Sequence, residues 1–243
     1  MPASSNRQSG SSSSGRVPLD RDRVLRAAIR IADEEGLAAL TMRSLASSLD
    51  SKPMSLYHHV TNKEEILDAI VDAVFAEIAL PDPGGDWRDE LTLRAQSART
   101  ALVRHPWALA LLETRTSPGP ATLHHQDTVL AALRAAGFSL PLTAHAFASM
   151  DAFIYGFALQ EASLSFEDPQ SARDITEPIL DNLPAGEYPH MVEFATDHVL
   201  KPDYAFGDSF DFGLDLILGG LAAALEAEQT SPRVGASDPE DLR

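Results

Sequence analysis

The sequence predicts an all-α protein in which a small basic head precedes a larger acidic body. Apolar residues recur at helical spacing in almost every segment between the two ends, and no stretch shows the sustained alternation of a half-buried strand. Charge is also divided unevenly. Residues 1–63 hold nine Lys and Arg against six Asp and Glu, whereas residues 64–243 hold ten against thirty. The overall charge of −17 would argue against a nucleic-acid partner if it were spread evenly, because DNA affinity rests on cations meeting phosphates. Its concentration in the body leaves the head net positive.

The elements follow in order. Residues 1–15 are rich in Ser and Gly and lack an apolar face, so they read as a disordered tail. A helix is expected over Arg21 to Glu35, with Asp20 as its cap, Val24, Ala28 and Ile31 on one face, and Gly36 as its stop. A second starts at Thr41, where Met42, Leu45, Ala46 and Leu49 share a face. After Asp50 and Ser51, a third short helix runs from Lys52 or Pro53 to His59, since proline is tolerated in a first turn. Thr61 with Glu64, and Asn62 with Glu65, offer overlapping capping boxes before a long apolar helix through Ile78. Pro81, Pro83, Gly84 and Gly85 then break the chain, which divides it into a head over 16–80 and a body over 81–229. In the body, helices are expected at Trp87 to Arg104, Trp107 to Glu113, Ala121 to Ala136, Leu142 to Ser165, Tyr188 to Leu200 and Ser209 to Glu228. Pro169, Pro178 and Pro184 make Phe166 to Gly186 read as a long loop with room for one helical turn, and 230–243 as a frayed tail.

Composition excludes several chemistries. With no cysteine there are no disulfides and no thiolate metal sites. No apolar run is long enough to span a membrane and no signal peptide opens the chain, so a cytoplasmic protein without a membrane partner is expected. A nucleophile elbow, a phosphate loop and the HExxH motif are all missing, which speaks against an enzyme. His190, Glu193 and Asp197 share one helical face, which reads as solvated surface rather than a metal site.

Two short helices joined by a tight turn are the layout in which the second enters a DNA major groove, about 12 Å wide. On that second helix Leu56 and Val60 are spaced to pack inward, leaving Met54, Ser55, Tyr57 and His58 outward. A thioether, two hydroxyls and an imidazole suit base edges and phosphates better than the Glu, Lys and Gln of an ordinary exposed helix. The run from Thr41 to Leu67, with Leu56, Tyr57 and His59 followed by Val60, Lys63 and Glu64, resembles the TetR family signature. The resemblance covers about residues 20–78. It implies DNA-backbone or structural roles for Thr41, Arg43, Lys52, Tyr57, His59 and Lys63, with Pro53 opening the recognition helix between them. His59 either touches DNA or buttresses its helix. The family's turn glycine is Asp50 here, a residue type that reaches left-handed backbone at modest cost.

Three body segments resemble the tetracycline-repressor branch: Ala135 to Ser139, Asp151 to Phe157, and Phe210 to Leu221. That implies a homodimer built on the two long helices, with Gly213, Gly219, Gly220 and Ala222 to Ala224 allowing close approach; a tightly packed helix within one chain is the alternative. It also implies a pocket for a small-molecule effector, for which His105, Trp107, Leu111, His124, Met150, Phe153, Phe157 and Gln160 are candidates. The branch's metal-binding histidine has no match in this segment, so no metal or cofactor is expected. The whole reads as a ligand-responsive repressor that binds a palindromic double-stranded DNA operator. A small-molecule-binding helical protein or enzyme without specific DNA binding is the alternative.

Overall fold

Eleven α-helices and no strand are found among the described residues of the computed structural model, which are 19–112, 114, 117–164, 169–184 and 186–230. The expected tail 1–15 lies outside them, as does the expected tail 230–243 apart from Thr230, which is the last residue of a helix. The head comprises α1 (Arg21–Glu35), α2 (Met42–Ser48), α3 (Pro53–Leu56) and the start of α4 (Lys63–Phe75). The body comprises α5 (Trp87–Arg104), α6 (Trp107–Leu112), α7 (Pro120–Ala135), α8 (Leu140–Ser163), α9 (Pro169–Asp181), α10 (Pro189–Phe194) and α11 (Asp208–Thr230).

Local chemistry fixes the head. Asp20 accepts the Arg23 N–H at 2.7 Å to cap α1, and Gly36 ends it at φ +80°. Thr41 and Ser44 cap α2 reciprocally, each side chain accepting the other's backbone N–H. The following turn closes with the Ser51 N–H on the Ala46 carbonyl at 2.9 Å. Its Asp50 has φ +48°, the one positive value at a described residue other than glycine. The left-handed turn therefore survives without glycine.

A four-residue helix has no stability of its own. α3 is held by Pro53, preset in its first position, and by the fully buried Leu56 together with Val60 in the core, with α2 alongside. Helical geometry ends at Leu56, and residues 57–59 continue as a turn rather than reaching His59 in regular helix. Of the two expected capping boxes, Asn62 makes the cap, accepting the Glu65 N–H at 2.8 Å. The Glu65 carboxylate reaches back one residue further, to the Thr61 N–H at 2.7 Å, and pairs with Arg21 of α1 at 3.2 Å.

In the body α5 and α8 lie against each other, α11 crosses both, and α7 closes the layer against α4 and α8. α4 is the shared element. Ile66 and Ile70 belong to the head core, and Val74 and Phe75 to the body core, so one apolar cluster runs through both.

Two further expectations fail. The segment read as a loop contains α9, over Pro169–Asp181. Pro169 opens the helix, where no N–H is required, and the exposed Pro178 sits late in it, so neither acts as the breaker assumed. Arg173 then ties α9 to the Leu200 carbonyl at 2.5 Å. The single helix expected over Tyr188 to Leu200 is instead α10 followed by a π-helical stretch, Ala195–Val199. No described helix is long and apolar enough to cross a membrane.

Candidate functional site

The exposed side of the head gathers the residues proposed for DNA. Arg43, Lys52, Pro53 and His58 are exposed, Met54 is 73% exposed and Tyr57 46%. Thr41 is exposed at the N-terminus of α2 with its hydroxyl engaged in the cap. Ser55, His59 and Lys63 are half-buried. Leu56 and Val60 point the other way, into the core, so the short helix has the two-faced character its sequence predicts. Lys63 is the first residue of α4, where unpaired backbone N–H groups already favour an anion.

The eight residues proposed for an effector pocket do not converge on one cavity. His124 and Gln160 are exposed, while Met150 and Leu111 are buried in the core. Phe153 and Phe157 stack with Phe210 and Phe206, and the Arg99 guanidinium lies 4.9 Å from the centre of the Phe210 ring. Arg99 is also held bidentately by Glu161 at 2.7 and 2.5 Å, which raises its pKa further, and it borders an open depression of about 850 Å³. Its Nε and Nη2 thereby join α5 to α8.

His105 and Trp107 do a different job. Both bond to a single carboxylate oxygen of Asp33 in α1, the Trp107 indole N–H at 2.6 Å and the His105 Nδ1 at 2.7 Å. His105 Nε2 lies 3.3 Å from Glu77, which also pairs with Arg104 at 3.0 Å. The elbow between α5 and α6 is thereby latched to the head.

A smaller, more enclosed cavity of about 260 Å³ lies between α4, α6, α7 and α8. Its wall includes Asp68, Val71 and Phe75 from α4, Leu112 from α6, Thr122 and Gln126 from α7, and Asp151 and Tyr155 from α8. Beside it, Asp72 accepts the Ala121 and Thr122 N–H groups and the Thr122 hydroxyl, capping α7 from a different helix. Gly119 makes that approach possible, since a Cβ there would meet the Asp72 carboxyl carbon at 2.3 Å.

Behind the wall is a buried polar group that sequence reasoning missed. Arg94, 1% exposed, donates through Nε to His125 Nε2 at 3.2 Å and through Nη2 to Asp151 at 2.5 Å. Arg94 Nη1 and His125 Nδ1 are buried without a partner. Burial foremost, then the Arg94 charge and His124, lowers the His125 pKa to about 4, so its ring is neutral at pH 7. With Nε2 accepting from Arg94, the ring proton belongs on Nδ1. Burial, then the Asp151 carboxylate, pushes the Tyr155 phenol upward, keeping it protonated. A signal for Arg94 was present in the sequence: it sits on the apolar stripe of Leu91, Ala95 and Ala98.

The glycines of α11 divide. A Cβ on Gly213 would meet the Phe153 ring at 2.7 Å, so that glycine serves packing within the chain, not against a partner. Gly219 nears Arg88 at 3.8 Å, and Gly220 faces open space. Among the described residues no group of three His, Asp or Glu is arranged to hold a metal; His190 and Glu193 are exposed, and Asp197 lies 4.0 Å from Lys201.

Comparison with known proteins agrees with this geometry. Residues 24–70 match the family model for bacterial regulatory proteins of the tetR family, and residues 80–225 match the tetracyclin repressor-like C-terminal domain. An HTH-type transcriptional regulator of Saccharopolyspora erythraea is 34% identical over 86% of this chain and 87% of its own. The HTH-type transcriptional repressor DrrR1 of Streptomyces coeruleorubidus is also 34% identical, over 84% of this chain and 77% of its own. Apo ActR from Streptomyces coelicolor superimposes with a TM-score of 0.70 at 30% identity, covering 87% of this chain and 99% of that one. ActR in complex with actinorhodin gives 0.68 at 29%, covering 86% and 99%. With a helix-turn-helix head and a repressor-like helical body both matched, the chain belongs to the TetR family of DNA-binding transcriptional regulators.

Proposed function

We propose that the protein is a homodimeric repressor that binds a palindromic operator through Met54, Ser55, Tyr57, His58 and the surrounding backbone contacts, and leaves it when a small organic molecule fills the cavity of about 260 Å³. The observation that carries this reading is the double duty of α4. Its N-terminal Lys63 follows the recognition helix by a six-residue connection, and one to three turns later the same helix supplies Asp68, Val71 and Phe75 to the cavity wall. A ligand pressing on that wall acts on the element that positions the head, which gives it different affinities for the bound and released arrangements. The ActR structure with actinorhodin supports an organic effector in a body of this fold.

The homodimer is supported by one apolar face. Phe212 and Leu216 of α11 are 69% and 63% exposed, in line with Gly220, and α8 beside them exposes Ala148, Ala152 and Leu159. Large side chains next to small ones suit interdigitating helices. Gel shift at fixed salt tests the reading, using duplex from upstream of the protein's own gene and a randomised competitor. Affinity that survives randomisation refutes it.

A further inference from the structure

α7 starts without a cap of its own. Its N-cap position is Gly119, which has no side chain to accept the first-turn N–H groups, and that task falls to Asp72 of α4. The two Asp72 carboxylate oxygens take the Thr122 N–H at 2.8 Å, the Thr122 hydroxyl at 2.9 Å and the Ala121 N–H at 3.2 Å. The place of this cap decides its use. Asp68 and Phe75, at i−4 and i+3 from Asp72, and Val71 beside it are the residues α4 gives to the wall of the cavity of about 260 Å³, while Gly119 and Thr122 belong to the facing wall. We infer, resting on the reading of this cavity as the effector pocket, that Asp72 is the positioning residue through which the head senses the far wall. Its cap ties the start of α7 to α4, so an effector that displaces residues 117–122 moves α4 and, with it, the recognition helix.

Directionality singles this contact out. The apolar packing of α4 on α7, including the edge-on approach of Phe75 to His125 at 5.5 Å, is non-directional and lets helices slide. Three bonds to one carboxylate fix distance and orientation together. They also outlast the signal. Allosteric effectors shift a partner's affinity by about 5- to 150-fold. Parting the cap would take the acceptor from both donors of Thr122, which is 6% exposed, and leave the positive end of α7 unmatched, a larger cost than such a shift supplies. The cap therefore stays closed in the DNA-bound and the released arrangements, as a strut rather than a catch that opens. Gly119 lets it close, and its extended backbone, φ −79° and ψ 176°, is that of an ordinary N-cap, so a side chain is accommodated there once Asp72 is removed.

Coupling is reciprocal, so DNA itself is the probe: if the wall formed by 117–122 moves the head, DNA on the head must move α7. The chain has no cysteine, so Leu123→Cys, at an exposed site early in α7, takes a single trifluoromethyl label. Its fluorine resonance is followed in the full-length protein as duplex from upstream of the protein's own gene is added, with gel shift on the same samples recording binding. The labelled protein should show a DNA-induced shift that shrinks by about threefold or more in Asp72→Ala and stays small when Gly119→Asp is added. That second change gives α7 a cap from its own segment, which restores the helix but not its tie to α4, and it keeps the test decisive where Asp72→Ala alone destabilises the fold. A shift that survives Asp72→Ala, or returns to full size with Gly119→Asp, makes Asp72 a helix cap alone and overturns the inference. A duplex that binds without moving the label also overturns it, while the cavity reading, which rests on α4, stands. If the duplex binds no more tightly than a randomised one, the reading of the protein as an operator-binding repressor falls, and the inference falls with it.

Discussion

Asp33 offers the sharpest perturbation of the link between head and body. In Asp33→Ala the indole N–H of Trp107 and the Nδ1 of His105 lose the one oxygen that accepts both, at 2.6 and 2.7 Å. Each orphaned buried donor costs about 1–3 kcal/mol. Trp107 is 7% exposed and His105 4%, but the Asp33 side chain is 28% exposed, so water reaches part of the vacated site and the lower end applies. The expected loss is therefore about 2–3 kcal/mol in urea unfolding followed by circular dichroism, at fixed protomer concentration because dimerisation contributes to the apparent stability. Asp33→Asn keeps an acceptor and should lose roughly half as much. A double-mutant cycle of Asp33→Ala with Trp107→Phe should show coupling of about 1 kcal/mol. Trp107 opens α6 and Leu112 near its end lines the cavity, so the loosened latch should also blunt release from DNA by an effector. A loss under about 0.5 kcal/mol with effector response intact would refute the latch.

Other predictions are independent of it. Since His125 is neutral in the fold down to about pH 4 but protonates near 6.5 when unfolded, the unfolded chain binds more protons between these values. Stability should thus fall by about 3 kcal/mol as pH drops through that window, and His125→Phe should flatten this acid limb in urea titrations. Lys63→Ala should weaken binding to all sequences and reduce the salt slope by about 1, whereas Met54→Ala should change preference at particular base pairs by about 1–3 kcal/mol. An unaltered slope removes Lys63 from the phosphate contacts. Gly220→Leu meets nothing within its own chain, so the variant should fold normally by circular dichroism yet sediment as a monomer; a stable dimer would put the interface on another face. Gly119→Ala forces a carbon onto the Asp72 carboxylate and should lower the melting temperature, while Asp72→Ala in the same background should restore part of the loss.

Much of the head was legible because its determinants are local. Asp20 and Gly36 bracket α1, Asp50 takes the left-handed turn, and Leu56 and Val60 face the core as their spacing requires. Where the sequence misled, the deciding contacts were distant or positional. Pro169 and Pro178 looked like breakers, but proline disrupts a helix only where an N–H and space for the ring are needed. His105 and Trp107, an imidazole beside an aromatic, looked like a pocket wall, whereas their partner Asp33 lies more than seventy positions earlier in the chain. The buried network joins Arg94 to His125 and Asp151, separated by 31 and 57 positions, and no periodicity encodes such pairs. Only Arg94, on the apolar stripe of α5, announced a buried charge in advance.

The central claim is sequence-specific DNA binding by a dimer whose recognition helices lie about 34–36 Å apart, one helical turn of DNA. Sedimentation velocity of the protein with a fluorescent duplex from upstream of its own gene, at several salt concentrations, measures stoichiometry, affinity and electrostatic contribution together. The account predicts two protomers, or a multiple of two, per duplex, a steep loss of affinity with salt, and binding about a thousandfold weaker to a randomised duplex of equal length. One protomer per duplex, or equal affinity for the randomised sequence at the same salt, would contradict it.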